Sequence, residues 1–283
     1  MKKILVTGAS GYLAHRLLPI AGRFGEVIGV ARRRESVLAD VQSESLDITD
    51  RCAVDALVKK IQPDIILHTA ASNPGVEESV MDAVNHLGSA YIATAAKTLG
   101  SRLVVVSTES VHNGLQAPYS DSAVADPVNT YGRTKALGEQ AVMHDYPEAA
   151  IVRTSLIYGL EQMDRGTRGF VDRLERGEPL VLFDDVIRQP VWVDSLAEAI
   201  CALAVTHTAI SGLLNVVGSQ ALSRAEFARL MLSHWGVVAE GKISEKSGAG
   251  IAGLPLDLRS DCARARALGY ALPGVSEVLD SVR

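Results

Sequence analysis

Residues 4–14 read ILVTGASGYLA, a short apolar run that ends in a turn with two glycines. The run predicts a buried strand, and Gly8 and Gly11 permit a tight turn with a ligand close to the backbone. Small Ala14 lets the following helix pack on the strand, and the first amides of that helix would face a pyrophosphate. A plain strand–turn–helix would not need glycine at both positions. The Gly-x-x-Gly-x-x-Ala spacing therefore predicts a dinucleotide-binding turn.

The alternation of short apolar strands with helices continues beyond this turn. Apolar runs recur at 26–31, 63–71, 103–106 and 150–159, and helical patterns separate most of them. This order predicts an α/β fold with a Rossmann-type doubly wound parallel sheet and a smaller C-terminal substrate lobe.

The same pattern predicts how the chain is divided. We expect residues 1–157 to form a dinucleotide-binding domain, with 190–217 returning to it, and 158–189 and 218–283 to form the substrate-binding lobe. Two later helices are expected to begin with capping boxes, at Ser195 with Glu198 and at Ser223 with Glu226.

The residues after the second strand predict the cofactor. Ala31 stands where an NAD-preferring site carries an acid for the ribose 2′-hydroxyl, and Arg32, Arg33 and Arg34 follow it. Guanidinium groups suit a 2′-phosphate, so NADP is predicted, with NAD as the alternative. A solvated basic turn would also explain the arginines. Asp47, further along, could reach the adenine amino group, although a turn or cap role fits its spacing equally.

A candidate acid–base site follows the strand at 103–106. Thr108 ends that strand, and Tyr131 and Lys135 stand four residues apart, on one face of a predicted helix. We expect a cationic Lys135 to lower the pKa of Tyr131, and Thr108 to hydrogen-bond the oxygen of a carbonyl or alcohol substrate. Such a trio interconverts C=O and CH–OH.

The Tyr-x-x-x-Lys spacing also occurs by chance, as a half-buried tyrosine beside a solvated lysine. Ligands of a doubly wound sheet bind at the carboxyl ends of its strands, where Gly8, Ala70 and Thr108 are all expected. That convergence favours a catalytic Tyr131.

The fourth strand ends in small residues that leave room for a cofactor, namely Thr69, Ala70 and Ala71.

The composition excludes several classes of function. The chain has 283 residues, 22% of them charged, and a formal net charge of -5, so nucleic acid and anionic membranes are not expected partners. Cys52, Cys201 and Cys262 are odd in number and far apart, which fits a reducing cytoplasm. No apolar run approaches a membrane span, and the histidines show no metal-binding spacing.

Several motifs together carry a family resemblance. They are TGASGYLA at 7–14, LDITD at 46–50, HTAA at 68–71, VSTESVHNG at 106–114, PYSD at 118–121 and YGRTKALGE at 131–139. These resemble extended short-chain dehydrogenase/reductases, and most of all the dTDP-4-dehydrorhamnose reductase and sugar-nucleotide epimerase family. The resemblance extends from residue 1 to about residue 200.

The resemblance implies roles for particular residues. Thr108, Tyr131 and Lys135 would be the catalytic trio, with Lys135 also on the nicotinamide ribose. The residues expected to hold the cofactor are Gly8, Ser10, Gly11, Tyr12, Leu13, Arg32, Arg33, Asp47, Ile48, Thr69, Ala70, Ala71 and Lys135. The candidates for substrate binding are Glu109, Ser110, His112 and Arg188. For Arg188, a phosphate contact and a surface ion pair are equally open.

The substrate loop departs from the family pattern. Glu109, Ser110, His112 and Asn113 replace the family's Asp, Tyr, Phe and Asp, which leaves the substrate sugar open. We expect an NAD(P)-dependent oxidoreductase that reduces a keto group of a nucleotide-linked sugar. A homodimer is left open by the sequence. The alternatives are a sugar-nucleotide epimerase or dehydratase that retains NAD, and a non-catalytic NADP-binding regulatory subunit of the methionine adenosyltransferase β type.

Overall fold

A computed structural model describes residues 1–33, 37–239 and 241–282, so Arg34 of the basic run lies outside the described residues. The strands of the central sheet are β1 (Lys2–Thr7), β2 (Gly25–Ala31), β3 (Gln42–Ser45), β4 (Ile65–His68), β5 (Arg102–Thr108), β6 (Ala150–Thr154) and β11 (Gly212–Asn215). All neighbouring pairs are parallel, in the order β11-β6-β5-β4-β1-β2-β3. The order reverses between β1 and β4, as in a doubly wound sheet. The predicted Rossmann-type fold is confirmed.

Helices cover both faces of this sheet. They are α1 (Tyr12–Ala21), α2 (Arg51–Ile61), α3 (Glu78–Asp82), α4 (Ser89–Leu99), α5 (Thr130–Asp145) and α7 (Val193–Val205), with a π-helical turn (Ala83–Gly88) joining α3 to α4. Successive strand residues point to opposite faces. Ile4 and Val6 accordingly pack with α1 and α7, whereas Leu5 packs with α2 and α4.

The remaining elements belong to the C-terminal half of the chain. They are β7 (Ile157–Tyr158), β8 (Leu180–Phe183), β9 (Ile187–Arg188), β10 (Val191–Trp192), β12 (Leu222–Ser223), β13 (Ile243–Lys246), α6 (Arg165–Glu175), α8 (Arg224–His234), α9 (Ala263–Ala267) and α10 (Val275–Ser281). The small strands pair as β10 with β7, β12 with β9 and β13 with β8. Two further apolar clusters lie among these elements.

Residues 190–217 contribute α7 and β11, and β11 forms the edge strand next to β6. The division into a dinucleotide-binding domain and a substrate lobe stays a prediction. Of the two expected capping boxes, Ser223 with Glu226 is confirmed at the start of α8. The box at Ser195 is wrong, because α7 already begins at Val193 with no side-chain cap. No helix in the described ranges is long and apolar enough to cross a membrane.

Candidate active site

The end of β5 and the start of α5 bring the predicted trio together. Thr108 is the last residue of β5, and its hydroxyl oxygen accepts a hydrogen bond from the Ser110 amide at 3.1 Å. Tyr131 and Lys135 lie on the first turns of α5, which Asn129 caps by accepting from the Gly132 amide at 2.8 Å. Tyr131 is half-buried beside Thr108, and the Lys135 ammonium donates to the Val106 carbonyl at 2.8 Å.

The electrostatics of Tyr131 differ from the sequence-based expectation. Burial raises the pKa of Tyr131 to about 12, the neighbouring Thr108 hydroxyl opposes that rise, and the charge of Glu109 adds to it. Lys135 is itself buried, which lowers its pKa to about 8 against the opposing charge of Glu139. The expectation that Lys135 lowers the pKa of Tyr131 is therefore wrong for this structure, because burial and the charge of Glu109 raise that pKa and outweigh the lowering effect of Thr108.

The glycine turn lies against the end of β4. Gly8 has φ +73, and a Cβ there would lie 2.6 Å from the Ala70 nitrogen, so only glycine fits. Thr69 fastens the two strand ends, since its amide and hydroxyl both donate to the Thr7 carbonyl, at 3.2 and 2.7 Å. Predicted cofactor residues from both strands, Gly8 with Thr69 and Ala70, are thus neighbours.

The start of α1 suits an anionic group. Gly11 is the N-cap residue and provides no side-chain cap, and the first turn of α1 holds no acidic residue. The amides of Tyr12 and Leu13 are consequently left without a side-chain partner, which is the arrangement that binds a phosphate. Ser10 is exposed beside them. The residues present thus fit the pyrophosphate of a dinucleotide.

Arg32 and Arg33, which follow β2, are exposed. Arg32 lies 3.6 Å from Asp47, between Arg32 Nε and Asp47 Oδ2. Asp47 also accepts from the amide and the hydroxyl of Thr49, at 3.0 and 2.8 Å, which lowers the pKa of its carboxyl. Asp47 thus serves the turn that its spacing allowed. Ile48 is buried against the π-helical turn, where a Cβ on Gly88 would meet its Cδ1 at 2.9 Å.

Two of the substrate candidates form a buried ion pair. Glu109 Oε1 lies 3.4 Å from Arg188 Nε, and both side chains are less than a tenth exposed. Burial raises the pKa of Glu109 to about 7, and the charge of Arg188 opposes that rise. The Arg188 guanidinium also donates to the carbonyls of Ile187, Leu256 and Pro255, at 2.7, 3.0 and 2.9 Å. A surface ion pair is therefore wrong for Arg188, and holding a phosphate would require it to exchange these contacts.

His112 is fully buried, which corrects the expectation that it contacts a substrate. Its ring stacks on Tyr119 with centroids 4.0 Å apart, and its Nε2 lies 3.4 Å from Arg153 Nη1. Burial lowers its pKa to about 4, and the charge of Arg153 adds to that shift. Ser110, by contrast, is half-buried beside Thr108.

Sequence reasoning missed several buried polar residues around the trio. Asn85 exchanges hydrogen bonds with the backbone of Ser72 and donates to Thr134 at 3.1 Å, which ties the π-helical turn to α5. Glu139 forms a buried ion pair with Arg153. The spacing of Glu139, four residues after Lys135 and eight after Tyr131, was the available signal.

In the described part of the chain, no group of three or more His, Cys, Asp or Glu side chains could hold a metal ion.

Comparisons with known proteins agree with this arrangement. Residues 1–249 match the family described as the RmlD substrate binding domain. The chain is 35% identical over 236 residues to a dTDP-4-keto-6-deoxy-D-glucose reductase of Streptomyces niveus, covering 80% of this chain and 76% of that protein. It is 32% identical over 190 residues to the methionine adenosyltransferase 2 subunit beta of Xenopus tropicalis, covering 65% and 53%.

A solved structure is also similar. It is a dTDP-4-dehydrorhamnose reductase from Bacillus anthracis in complex with NADP. The TM-score is 0.82 at 26% identity, and the match covers 99% of this chain and 98% of that one.

Proposed function

The chain belongs to the RmlD substrate binding domain family, and from that premise we propose that it is an NADPH-dependent reductase of a nucleotide-linked keto sugar. The observation that carries the proposal is the meeting of Thr108, Tyr131 and Lys135 at the carboxyl end of β5. The glycine turn lies two strands away, at the same edge of the sheet. A cofactor and a substrate carbonyl can therefore share this edge.

The proposed reaction adds a hydride and a proton across C=O. NADPH, when held at the glycine turn by Gly8, Gly11 and the first amides of α1, would supply the hydride for the carbonyl carbon and be oxidised to NADP+. Tyr131 donates its phenolic proton to the carbonyl oxygen, and a pKa of about 12 keeps that proton in place at neutral pH. The Thr108 oxygen accepts from the Ser110 amide, so its own proton can be donated to the substrate oxygen. Lys135, buried one helical turn after Tyr131, would add a positive charge to the site.

The residues for the cofactor and the substrate are part of the proposal. Gly8, Gly11 and the first amides of α1 would bind the pyrophosphate, and the exposed Arg32 and Arg33 would bind the 2′-phosphate. Ser110, half-buried beside Thr108, would contact the sugar. Glu109, which precedes Ser110 in the chain, forms a buried pair with Arg188, and this pair would shape the sugar pocket.

The proposal includes the oligomeric state of the protein and its cellular compartment. A homodimer rests on the family resemblance, and sedimentation equilibrium tests it. The described cysteines Cys52, Cys201 and Cys262 are all free, which supports a cytoplasmic protein. Localisation of a fluorescently tagged chain in cells of the source organism would test that.

The test of the function is single-turnover oxidation of NADPH against a panel of 4-keto-sugar nucleotides, with NADH as the comparison. We expect one or more of these substrates to consume one equivalent of NADPH. No consumption with any keto-sugar nucleotide overturns the proposal. Tightly bound NAD with no net oxidation would identify an epimerase or dehydratase. Binding to a methionine adenosyltransferase without turnover would identify a regulatory subunit.

A further inference from the structure

A buried ion pair lies directly behind the candidate catalytic residues. Glu139 of α5 and Arg153 of β6 are 4% and 2% exposed, and their side chains approach to 2.7 Å between Oε2 and Nη2. Arg153 Nε also donates to Glu139 Oε1 at 3.0 Å, so the contact is bidentate. Bidentate pairing is the strongest geometry for these two groups. Nothing in the proposed reaction so far uses either residue.

The pair belongs to a contact that sets the register between α5 and β5. Three consecutive residues at the end of β5 lie beside three residues of α5 that are spaced by four, and two of them make hydrogen bonds. The Lys135 ammonium donates to the Val106 carbonyl at 2.8 Å, the Ser107 hydroxyl donates to Glu139 at 2.5 Å, and Thr108 lies beside Tyr131. Residues four apart share one helix face, so this face of α5 is fastened to one strand through Lys135 and Glu139.

Arg153 extends the contact to the loop that follows β5. Its Nη1 donates to the Ala123 carbonyl at 2.9 Å and lies 3.4 Å from Nε2 of the buried His112. The Glu139 and Arg153 side chains are both buried, so solvent does not screen the pair. A buried pair of this kind is costly to break, because the remaining partner is left charged in a dry site.

We propose that Glu139, held in place by Arg153, is a positioning residue that fixes α5 against β5 and keeps Lys135 in its ammonium form, and so sets the upper pH limit of catalysis. The proposal rests on the proposed function for its effect on the rate. Its effect on Lys135 does not depend on any substrate.

The charges around Lys135 support this role. Burial lowers the pKa of Lys135 to about 8, and the charge of Glu139 is the force that opposes the shift. From β4, His68 faces Lys135 but is neutral, because burial lowers its pKa to about 3. Tyr131, on α5 itself, is neutral at this pH, and the charge of Glu109 acts on Tyr131 from the loop.

The sign of the effect follows from these charges. Without the Glu139 carboxylate, the desolvation of Lys135 is unopposed, so the pKa of Lys135 falls below about 8. The neutral amine then forms closer to neutral pH. Arg153, on β6 behind Glu139, would push the pKa in the same direction if left unpaired.

The experiment compares Glu139→Gln, Arg153→Met and the double variant with the parent. Glutamine keeps the shape of Glu139 and its contact with Ser107, and the double variant removes both charges, which a buried site tolerates better than one. The control is Asp194→Asn, which breaks the bidentate pair of Arg16 with Asp194, at 2.6 Å between α1 and α7. The side-chain hydrogen bonds of Arg16 go to Asp194 and Glu161, neither of which lies on α5.

Two quantities are measured for every variant. The first is the titration of Lys135, followed by NMR of carbon-labelled lysine, with Lys135→Met to assign the signal. The second is the pH dependence of the single-turnover rate, together with KM and the NADPH dissociation constant. The NMR titration needs no substrate, so a failure of the proposed function leaves it interpretable.

In Glu139→Gln, we expect the Lys135 midpoint to fall by about one pKa unit or more. The alkaline limb of the rate profile should move down with it, while KM changes little. In the double variant, both buried charges are removed, and the Lys135 midpoint should still be lower than in the parent. The Asp194→Asn control should titrate as the parent does.

An unchanged Lys135 midpoint in Glu139→Gln overturns the proposal. A double variant that regains both the parent midpoint and the parent pH profile overturns it as well, since the pair would then serve packing alone. A shifted midpoint with a rate profile that does not follow it shows that Lys135 does not limit the reaction at high pH.

Discussion

At the scale of single residues, the surroundings of Tyr131 determine whether its phenol acts as a proton donor or as a base. Tyr131 is half-buried beside Thr108, and burial raises its pKa to about 12, which keeps the phenol protonated across the neutral range. A protonated phenol beside a carbonyl is a proton donor, which suits reduction. The same residue would need a lower pKa to act as a base for oxidation.

The first prediction is that Tyr131→Phe keeps the ring packing and removes only the proton. Turnover should fall by about 10²–10⁴-fold, the usual contribution of a positioned general acid. The NADPH dissociation constant should stay within error of the parent value. Single-turnover NADPH oxidation and a fluorescence titration of the cofactor check the two parts. A variant that reduces the keto sugar at the parent rate would show that Tyr131 is not the acid.

The second prediction concerns His68, which is fully buried. Its ring nitrogens lie 2.7 Å from the Thr7 hydroxyl and 3.1 Å from the Ser89 hydroxyl. Burial lowers its pKa from 6.5 to about 3. The unfolded chain therefore binds a proton that the folded chain excludes, and the stabilisation is complete above pH 6.5 and is lost as pH falls towards 3.

Urea unfolding of the parent and of His68→Gln across pH 5 to 7.5 measures this effect. The free energy of unfolding of the parent should fall by up to about 1.4 kcal/mol per pH unit below 6.5, relative to the variant. The difference between the two proteins is the relevant quantity, because both contain Glu109. The pKa of Glu109 is raised to about 7, so its contribution to the free energy of unfolding falls as pH rises, opposite to that of His68. Parallel pH profiles for parent and variant would contradict the prediction.

At the scale of elements, α5 packs unusually close to its neighbours. A Cβ on Gly132 would lie 2.0 Å from the Ser110 carbonyl oxygen, and one on Gly138 would lie 2.2 Å from the Asn85 carbonyl oxygen. Both obstacles are backbone atoms, so neither can rotate away. The helix that carries Tyr131 and Lys135 is thus held between the turn after β5 and the π-helical turn.

The third prediction is that Gly138→Ala destabilises the protein by about 1–3 kcal/mol, because α5 must move away from the π-helical turn. Turnover should fall too, since Lys135 lies one turn from the substitution. Gly169→Ala is the matched control, because Gly169 is also helical and a Cβ there meets no atom within 4 Å. That control should gain about 0.5–1 kcal/mol of stability. Equal effects of the two substitutions in urea unfolding would refute the packing argument.

At the scale of the whole molecule, distant segments close over the strand ends. Residues from the C-terminal part hydrogen-bond the loop after β5, as in the Asp257 amide to the Gly114 carbonyl at 3.4 Å and the Tyr119 amide to the Arg259 carbonyl at 2.8 Å. Asn215 of β11 donates to the Tyr119 and Asp261 carbonyls, at 2.9 and 3.2 Å. A ligand at this edge therefore stabilises several segments at once.

The fourth prediction is that NADPH stabilises the whole fold more than NADH does. At a hundredfold excess over its dissociation constant, NADPH should add about 2.7 kcal/mol to the free energy of unfolding. Replacing Arg32 and Arg33 together by Ala should cost about 1–3 kcal/mol of NADPH binding, through lost charge-assisted hydrogen bonds. Calorimetric melts with each nucleotide, beside direct titrations, measure both effects.

For Arg32, the loss in the double arginine variant should come from the cofactor and not from the fold. The contact of Arg32 with Asp47 is exposed and 3.6 Å long, so losing it costs little. Arg23→Ala is the control, since Arg23 is also exposed and pairs with Glu198 at 2.7 Å. Equal affinities of the parent for NADPH and NADH would contradict the predicted preference.

Local sequence patterns determined much of this protein. The glycine turn at 8–11, the alternation of strands and helices, and the Ser223 capping box all depend on residues within one turn or one strand of each other. Hydrophobic periodicity and turn geometry act at that range, so they can be read from the chain. The common position of Thr108, Tyr131 and Lys135 followed as well, because parallel strands end at one edge.

Only the tertiary structure decided the burial of each polar group. His112 and Arg188 became interior residues, and the pKa of Tyr131 rose instead of falling. Two of the carbonyls that accept from Arg188 belong to Pro255 and Leu256, far along the chain. The partner of Glu139 is Arg153, which lies on another element, β6. Desolvation depends on every segment that packs around a group, and no local window contains those segments.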